Sequence, residues 1–161
     1  MIGKMFKKGN IEGVIVKPLK KYIDDRGWLV EIFREDELAE EHFPVMGYIS
    51  TTQSGVARGP HEHVDQADNF AFLGPSNFNV YLWDNRKNSP TYMTMSVFTA
   101  GEGAPCSVII PPGVVHAYKN IGDEPGMVVN CPNRLFAGKN KKEPVDEIRH
   151  ESQPDSIFKI T

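Results

Sequence analysis

The chain has 161 residues, 40% of them hydrophobic and 24% charged, with a formal net charge of −3 at pH 7. That length suits one globular domain, residues 1–161, and the mild acidity argues against nucleic acid as the main partner, because phosphate backbones call for a basic surface. No apolar run approaches the roughly 18 residues of a membrane span, and the opening MIGKMFKKGN has no apolar leader segment. Cys106 and Cys131 are too few for a disulfide scaffold, so a reducing cytoplasm is the expected location. Fourteen glycines and twelve prolines, without low-complexity stretches, suit many short strands and tight turns better than a helical bundle.

In chain order, residues 11–17 (IEGVIVK) are β-branched and contain a glycine boundary, which predicts a strand. Asp24-Asp25-Arg26-Gly27 is turn chemistry, and residues 28–33 (WLVEIF) read as a second strand. Residues 34–43 are the one helix candidate, with Leu38, His42 and Phe43 near i, i+4 spacing and Pro44 as the stop. Beyond Pro44 a period of two dominates. Phe78, Val80 and Leu82 alternate with Asn79, Tyr81 and Trp83, and bulk on both sides predicts a strand covered on both faces. Tyr81 and Trp83 are read as packing residues rather than a stacking platform. Residues 93–97, 107–110, 114–118 and 127–130 are further short apolar segments. The charged stretch after Ala137, with Lys139 to Lys142, is read as a solvated loop, and residues 157–160 as a closing strand or a docked segment. About nine or ten short strands and one short helix indicate an all-β sandwich or barrel.

Three of the five histidines fall in two compact motifs. One runs Arg58-Gly59-Pro60-His61-Glu62-His63, with Asp68 and Gly74 following; the other runs Pro111-Pro112-Gly113-Val114-Val115-His116, with Asn120 following. Residues i and i+2 of a strand share a face, so His61 and His63 point the same way. His42 and His150 are read as surface residues, and the two cysteines as unreactive for want of an adjacent activator.

The paired histidine motifs resemble those of the cupin superfamily, which implies a double-stranded β-helix, or jelly-roll, barrel. A longer series of blocks, residues 25–31 (DRGWLVE), 55–61 (GVARGPH), 86–91 (RKNSPT) and 110–116 (IPPGVVH), resembles the dTDP-4-dehydrorhamnose 3,5-epimerase family. The resemblance implies a homodimer that works without a metal or other cofactor on a nucleotide-diphosphate sugar, with neither nucleic acid nor a membrane as partner. The reaction it implies is removal and return of protons beside the ketone of a 4-keto-6-deoxy sugar, in deoxysugar or cell-surface polysaccharide biosynthesis. Histidine suits that task because its ordinary pKa lies near working pH. By resemblance, His61 is the base, His63 and His116 are further catalytic pocket groups, and Arg58 is the diphosphate anchor. Arg26 reaches a ligand phosphate, in a partner subunit, and Phe136 retains an aromatic of the substrate pocket.

The chain also departs from the family. Asp68 stands at the family's lysine position, Asn130, expected to bind substrate, at its tyrosine position, and His63 at its glutamine position. Asp146 is the candidate carboxylate to orient the basic histidine. The R-G-x-H-x-H run also resembles the cupin 3,4-ketoisomerases, which use two histidines of one strand. Two other readings stay open: a metal site made by His61, His63, Asp68 and His116, and a non-catalytic sugar-nucleotide-binding module.

Overall fold

A computed structural model describes residues 6–161; part of the opening stretch read for a leader therefore lies outside the described residues. The strands are β1 (Lys7–Lys8), β2 (Ile15–Pro18), β3 (Tyr22–Asp24), β4 (Gly27–Leu29), β5 (Tyr48–Thr52), β6 (Ala57–Glu62) and β7 (Asp68–Phe72). They continue with β8 (Asn77–Asp84), β9 (Thr94–Gly101), β10 (Cys106–Ile110), β11 (Val114–Asn120), β12 (Gly126–Asn130) and β13 (Ile148–Arg149). One sheet has the order β1-β9-β8-β11-β6-β13 and the other β2-β10-β7-β12-β5, while β3 and β4 form a separate hairpin. From β6 to β12 the chain crosses between the two large sheets at each step except β8 to β9, the jelly-roll pattern expected of a cupin barrel.

The core between the sheets comes from strands whose inward positions recur every second residue. Phe78, Val80 and Leu82 of β8 point inward with Val114 and Tyr118 of β11, against Phe70, Phe72, Val108 and Val128. Tyr118 meets Phe70, Phe72 and Phe78 edge-on, with ring centroids 5.6–5.8 Å apart. Tyr81, Trp83, Val115 and Ala117 face outward and form a second cluster beneath Phe158 and Ile160. The apolar end of the chain is thus a docked segment and not a strand, and both faces of β8 are covered.

Several sequence expectations change. The helix expected at residues 34–43 is two single 3-10 turns, Glu35–Glu37 and Glu40–His42, with extended backbone at Leu38 between them. Ten residues are too few for an isolated helix, and no side chain caps either turn. The strand expected from residue 11 begins only at Ile15, because Gly13 takes a φ of +78°. The strand expected over residues 28–33 is the outer half of the β3–β4 hairpin and stops at Leu29. His150 is not a surface residue. It is 8% exposed, and its Nε2 lies 2.8 Å from Oε1 of buried Glu62. His42 is half-buried.

Gly59 is where the fold most directly serves the histidines. Its φ is +82°, and a Cβ there would lie 2.5 Å from the His116 carbonyl oxygen. Only glycine lets β6 approach β11 this closely, which sets His61 opposite His116 in the register.

Candidate functional site

His61, His63 and His116 converge. The His61 and His116 ring centroids are 4.4 Å apart, and His63 lies 5.8 and 5.7 Å from them. His61 and His63 line an open pocket of about 1510 Å³, roomier than the 300–1,000 Å³ typical of drug-sized ligands. Its walls include Tyr48, Arg58, Gln66, Phe70, Tyr118 and the segment from Pro132 to Glu147.

Asp68 lies beneath the imidazoles, almost fully buried. Its Oδ2 is 3.1 Å from His63 Nε2 and 3.2 Å from His116 Nε2, and its Oδ1 accepts from Gln66 Nε2 at 2.9 Å and Asn130 Nδ2 at 2.8 Å. Burial works to raise its pKa, but the two histidines outweigh burial and hold the carboxyl well below the usual carboxylate range. His63 responds in kind. Burial disfavours its charge, yet Asp68, together with the Asp146 carbonyl that accepts from Nδ1, carries its pKa up to about 9. His61 goes the other way: burial, then the neighbouring His116 and His63, push it far below the ordinary histidine value. At neutral pH the pocket therefore holds a neutral His61 beside a cationic His63. His116 donates from Nδ1 to the Val114 carbonyl at 3.0 Å. Its Nε2 and Asp68 Oδ2 are close but poorly aligned, and both lack a hydrogen-bond partner among the described residues.

The carboxylate beside His61 belongs to Glu147, not to Asp146. Glu147 Oε1 is 3.9 Å from His61 Nδ1, while the Asp146 carboxylate accepts the backbone N–H groups of Val64, Asp65 and Gln66 at 2.6, 2.8 and 2.9 Å. Asp146 is a clamp between two loops, and the alternation of the extended chain aims its neighbour at the ring. β13 fixes that aim, since Arg149 pairs with His61 across the sheet.

Arg58 is exposed on the pocket wall, braced by Thr52 Oγ1 at 2.9 Å and the Thr51 carbonyl at 2.7 Å. Phe136, 53% exposed, also lines the wall. Lys139 and Lys141, expected in a solvated loop, are exposed but stand on the pocket rim. Arg26 lies outside the pocket, at the tip of the β3–β4 hairpin, paired with Asp24. Asn130 is fully buried and does not line the pocket; it holds Tyr48, its direct partner across β5 and β12, by an Nδ2···Oη hydrogen bond of 2.9 Å. Sequence reasoning missed Tyr48. The alternation of Tyr48, Ser50 and Thr52 could have found it, since these three reach Asn130, Tyr118 and Arg58. The three imidazoles also offer nitrogens within 4.8 Å of one another, so the donor set fits a metal ion as well as proton transfer.

Residues 8–144 match the family model described as dTDP-4-dehydrorhamnose 3,5-epimerase. Over 128 residues the chain is 38% identical to a probable low-salt glycan biosynthesis epimerase of Haloferax volcanii, covering 79% of this chain and 81% of that protein. It is 37% identical over 119 residues to a spore coat polysaccharide biosynthesis protein of Bacillus subtilis, covering 74% and 78%. The fold is similar to the dTDP sugar isomerase of Desulfovibrio desulfuricans, with a TM-score of 0.80 at 22% identity over 94% of this chain and 91% of that one. A 3'-monoepimerase from Streptomyces bikiniensis in complex with dTDP-quinovose gives 0.75 at 22% identity over 89% and 72%. These two likenesses concern fold alone, whereas the family match spans most of the sequence. The chain belongs to the dTDP-4-dehydrorhamnose 3,5-epimerase family.

Proposed function

We propose that the protein is a proton-transfer enzyme acting on a nucleotide-linked 4-keto-6-deoxy sugar, as an epimerase of deoxysugar or polysaccharide biosynthesis. The observation that carries this reading is an imidazole, His61, facing an open pocket with the Glu147 carboxylate 3.9 Å behind it and His63 5.8 Å beside it; their surroundings favour a neutral His61 and a cationic His63. A C–H next to a ketone is weakly acidic, so the reaction needs a base with a free lone pair and a positive group for the enolate oxygen. His61 fills the first role and His63 the second, with His116 completing the polar floor and Glu147 steadying the imidazolium that His61 becomes. Arg58 anchors the diphosphate through the guanidinium edge its brace leaves free, and Phe136 packs against the ligand. Asn130 and Asp146 serve the site by positioning Tyr48 and the loop after His63.

In this reading the protein is a single-domain, cytoplasmic homodimer with no nucleic acid or membrane partner. No helix among the described residues is long and apolar enough to cross a membrane. The exposed apolar face of the β3–β4 hairpin, with Ile23 at 78% and Leu29 at 63% exposure, supports contact with a second copy, to which Arg26 would be delivered.

Incubation with dTDP-4-keto-6-deoxyglucose in deuterated water tests the reading. Deuterium enters beside the ketone with the native protein, and His61→Ala abolishes this while dTDP affinity stays within about tenfold, because the base acts mainly in the transition state. Binding without exchange in the native protein would mean a non-catalytic module. A metal-dependent enzyme is the second reading, favoured by the three clustered imidazoles and the unpartnered His116 Nε2 and Asp68 Oδ2. Metal content below about a tenth of an equivalent, in protein purified without chelator, would sink it.

A further inference from the structure

We propose that Tyr48 is the proton donor on the substrate face opposite His61, so that the pocket inverts a carbon instead of returning the proton to the side it left. The inference rests on the proton-transfer reading above and names the second group that reaction needs.

The neighbours of Asn130 determine how its amide is oriented. The backbone N–H of Asn69 donates to Asn130 Oδ1 at 3.1 Å, so Asn130 Nδ2 must face the other way. There it meets two oxygens, Asp68 Oδ1 at 2.8 Å and Tyr48 Oη at 2.9 Å. Asp68 is ionised and can only accept, so one N–H serves the carboxylate and the other serves the phenol oxygen. Tyr48 therefore accepts from Asn130, and its own O–H has no acceptor among the described residues. The ring lines the pocket, which leaves that proton for a bound group. Burial carries the phenol's pKa up to about 12, so it enters the reaction protonated. Position 130, where the family resemblance implies a tyrosine, instead holds the amide that positions a tyrosine from the paired strand.

Topology supplies the second half. His61 stands on β6 of the six-stranded sheet and Tyr48 on β5 of the five-stranded sheet. The two sheets face each other, and both residues line the pocket. A sugar ring held in that pocket meets the imidazole from one sheet and the phenol from the other. His61 takes the proton from the carbon beside the ketone; the C–H pair becomes the enolate C=C, and the carbonyl π pair moves onto oxygen. Tyr48 then gives its proton to the same carbon from the far side. The C=C pair forms the new C–H bond, and the oxygen lone pair restores the ketone. The residual imidazolium and phenolate are neutralised by water in the open pocket, and the Asn130 N–H already donates to the oxygen that becomes phenolate.

Tyr48→Phe in the full chain tests this, because it removes one oxygen and keeps the ring. With dTDP-4-keto-6-deoxyglucose in deuterated water, the variant is expected to exchange solvent deuterium beside the ketone within about tenfold of the native rate. Formation of inverted product is expected to fall by at least about 100-fold, the scale of a lost general acid. Unchanged dTDP affinity and melting temperature establish that the variant is folded. Inversion within about threefold of native would overturn the inference, as would equal loss of exchange and inversion in a folded variant. If the native protein itself exchanges nothing, the proton-transfer reading has failed and the inference fails with it; native exchange with unimpaired inversion by the variant sinks the inference alone.

Discussion

Asp68 gathers four nitrogens, two of them imidazole, on one buried carboxylate, and the charge state of the pocket follows from that convergence. A lysine at this position would place a cation directly under the enolate. The aspartate instead places the cation one residue further out, on His63. If, as proposed, the protonated His63 ring is the useful form, its pKa of about 9 means activity should hold through neutral pH and fall about tenfold per pH unit above 9. In Asp68→Asn the countercharge beside Nε2 is gone and burial is opposed by Asp146 alone, so the falling limb should move to lower pH by more than one unit. Profiles of kcat/KM against pH for the two proteins check this. A native rate still flat at pH 10 would remove His63 from the role of charge stabiliser.

The element that organises the site from outside is one of the two shortest strands among the described residues. β13 has two residues, yet its pairing with β6 aims Glu147 at His61 and leads His150 onto Glu62. The chain then runs to Phe158, which packs on His150 at 4.6 Å and covers Trp83 at 5.8 Å. Phe158→Ala should cost about 3 kcal/mol of stability, at the low end for a buried aromatic because only the end of the chain closes over the gap. Urea unfolding measures the loss. Deuterium exchange at low temperature should stay within a few-fold, because the Asp146 clamp still holds the segment before β13. A loss of exchange larger than the loss of stability would mean the tail tunes the base directly. This element also marks the limit of what could be read from sequence. The alternation of residues 78–83 was legible because both faces of β8 are buried, by different partners. A two-residue strand has no period to detect, so the sequence alone does not separate Glu147 from Asp146, one position away. His150 looked exposed because its partner Glu62 lies 88 residues earlier in the chain. The alternation of Tyr48, Ser50 and Thr52 marks a strand face, but the role of Tyr48 on it comes from register with Asn130, 82 residues away. The helix over residues 34–43 failed on length, which periodicity alone does not weigh.

At the scale of the whole molecule, the two sheets are tied together by loops as well as by the core, and one such tie is built around a buried ion pair. Asp84 is fully buried at the end of β8 and accepts from Arg86 Nε at 2.8 Å, Arg86 Nη2 at 2.9 Å, Ser89 and Thr91 Oγ1 at 2.6 Å. The same Arg86 donates to the Glu12 carbonyl at 2.6 Å, and Thr91 Oγ1 accepts the Glu12 N–H at 3.0 Å, so the segment before β2 is drawn into the network. Burial raises the pKa of Asp84, but the bonds from Arg86, Ser89 and Thr91 outweigh it and bring the value down to about 2. A carboxyl whose pKa is lower in the folded chain stabilises the fold above its ordinary value, near 3.8, and loses that contribution as pH falls toward 2. The difference corresponds to about 2 kcal/mol. His63 works with the opposite sign: its contribution is complete below the ordinary histidine value and is lost as pH rises through about 9. On these two groups stability should be greatest between about pH 4 and 6.5 and decline on both sides. Asp84→Asn isolates the acid flank. It should be less stable than the native chain at pH 7, because buried donors lose their charged acceptor, but should lose about 2 kcal/mol less between pH 4 and 2. Urea unfolding midpoints across that range decide the matter: converging curves place acid sensitivity in this network, whereas parallel curves would assign it to other carboxylates, Asp68 first among them.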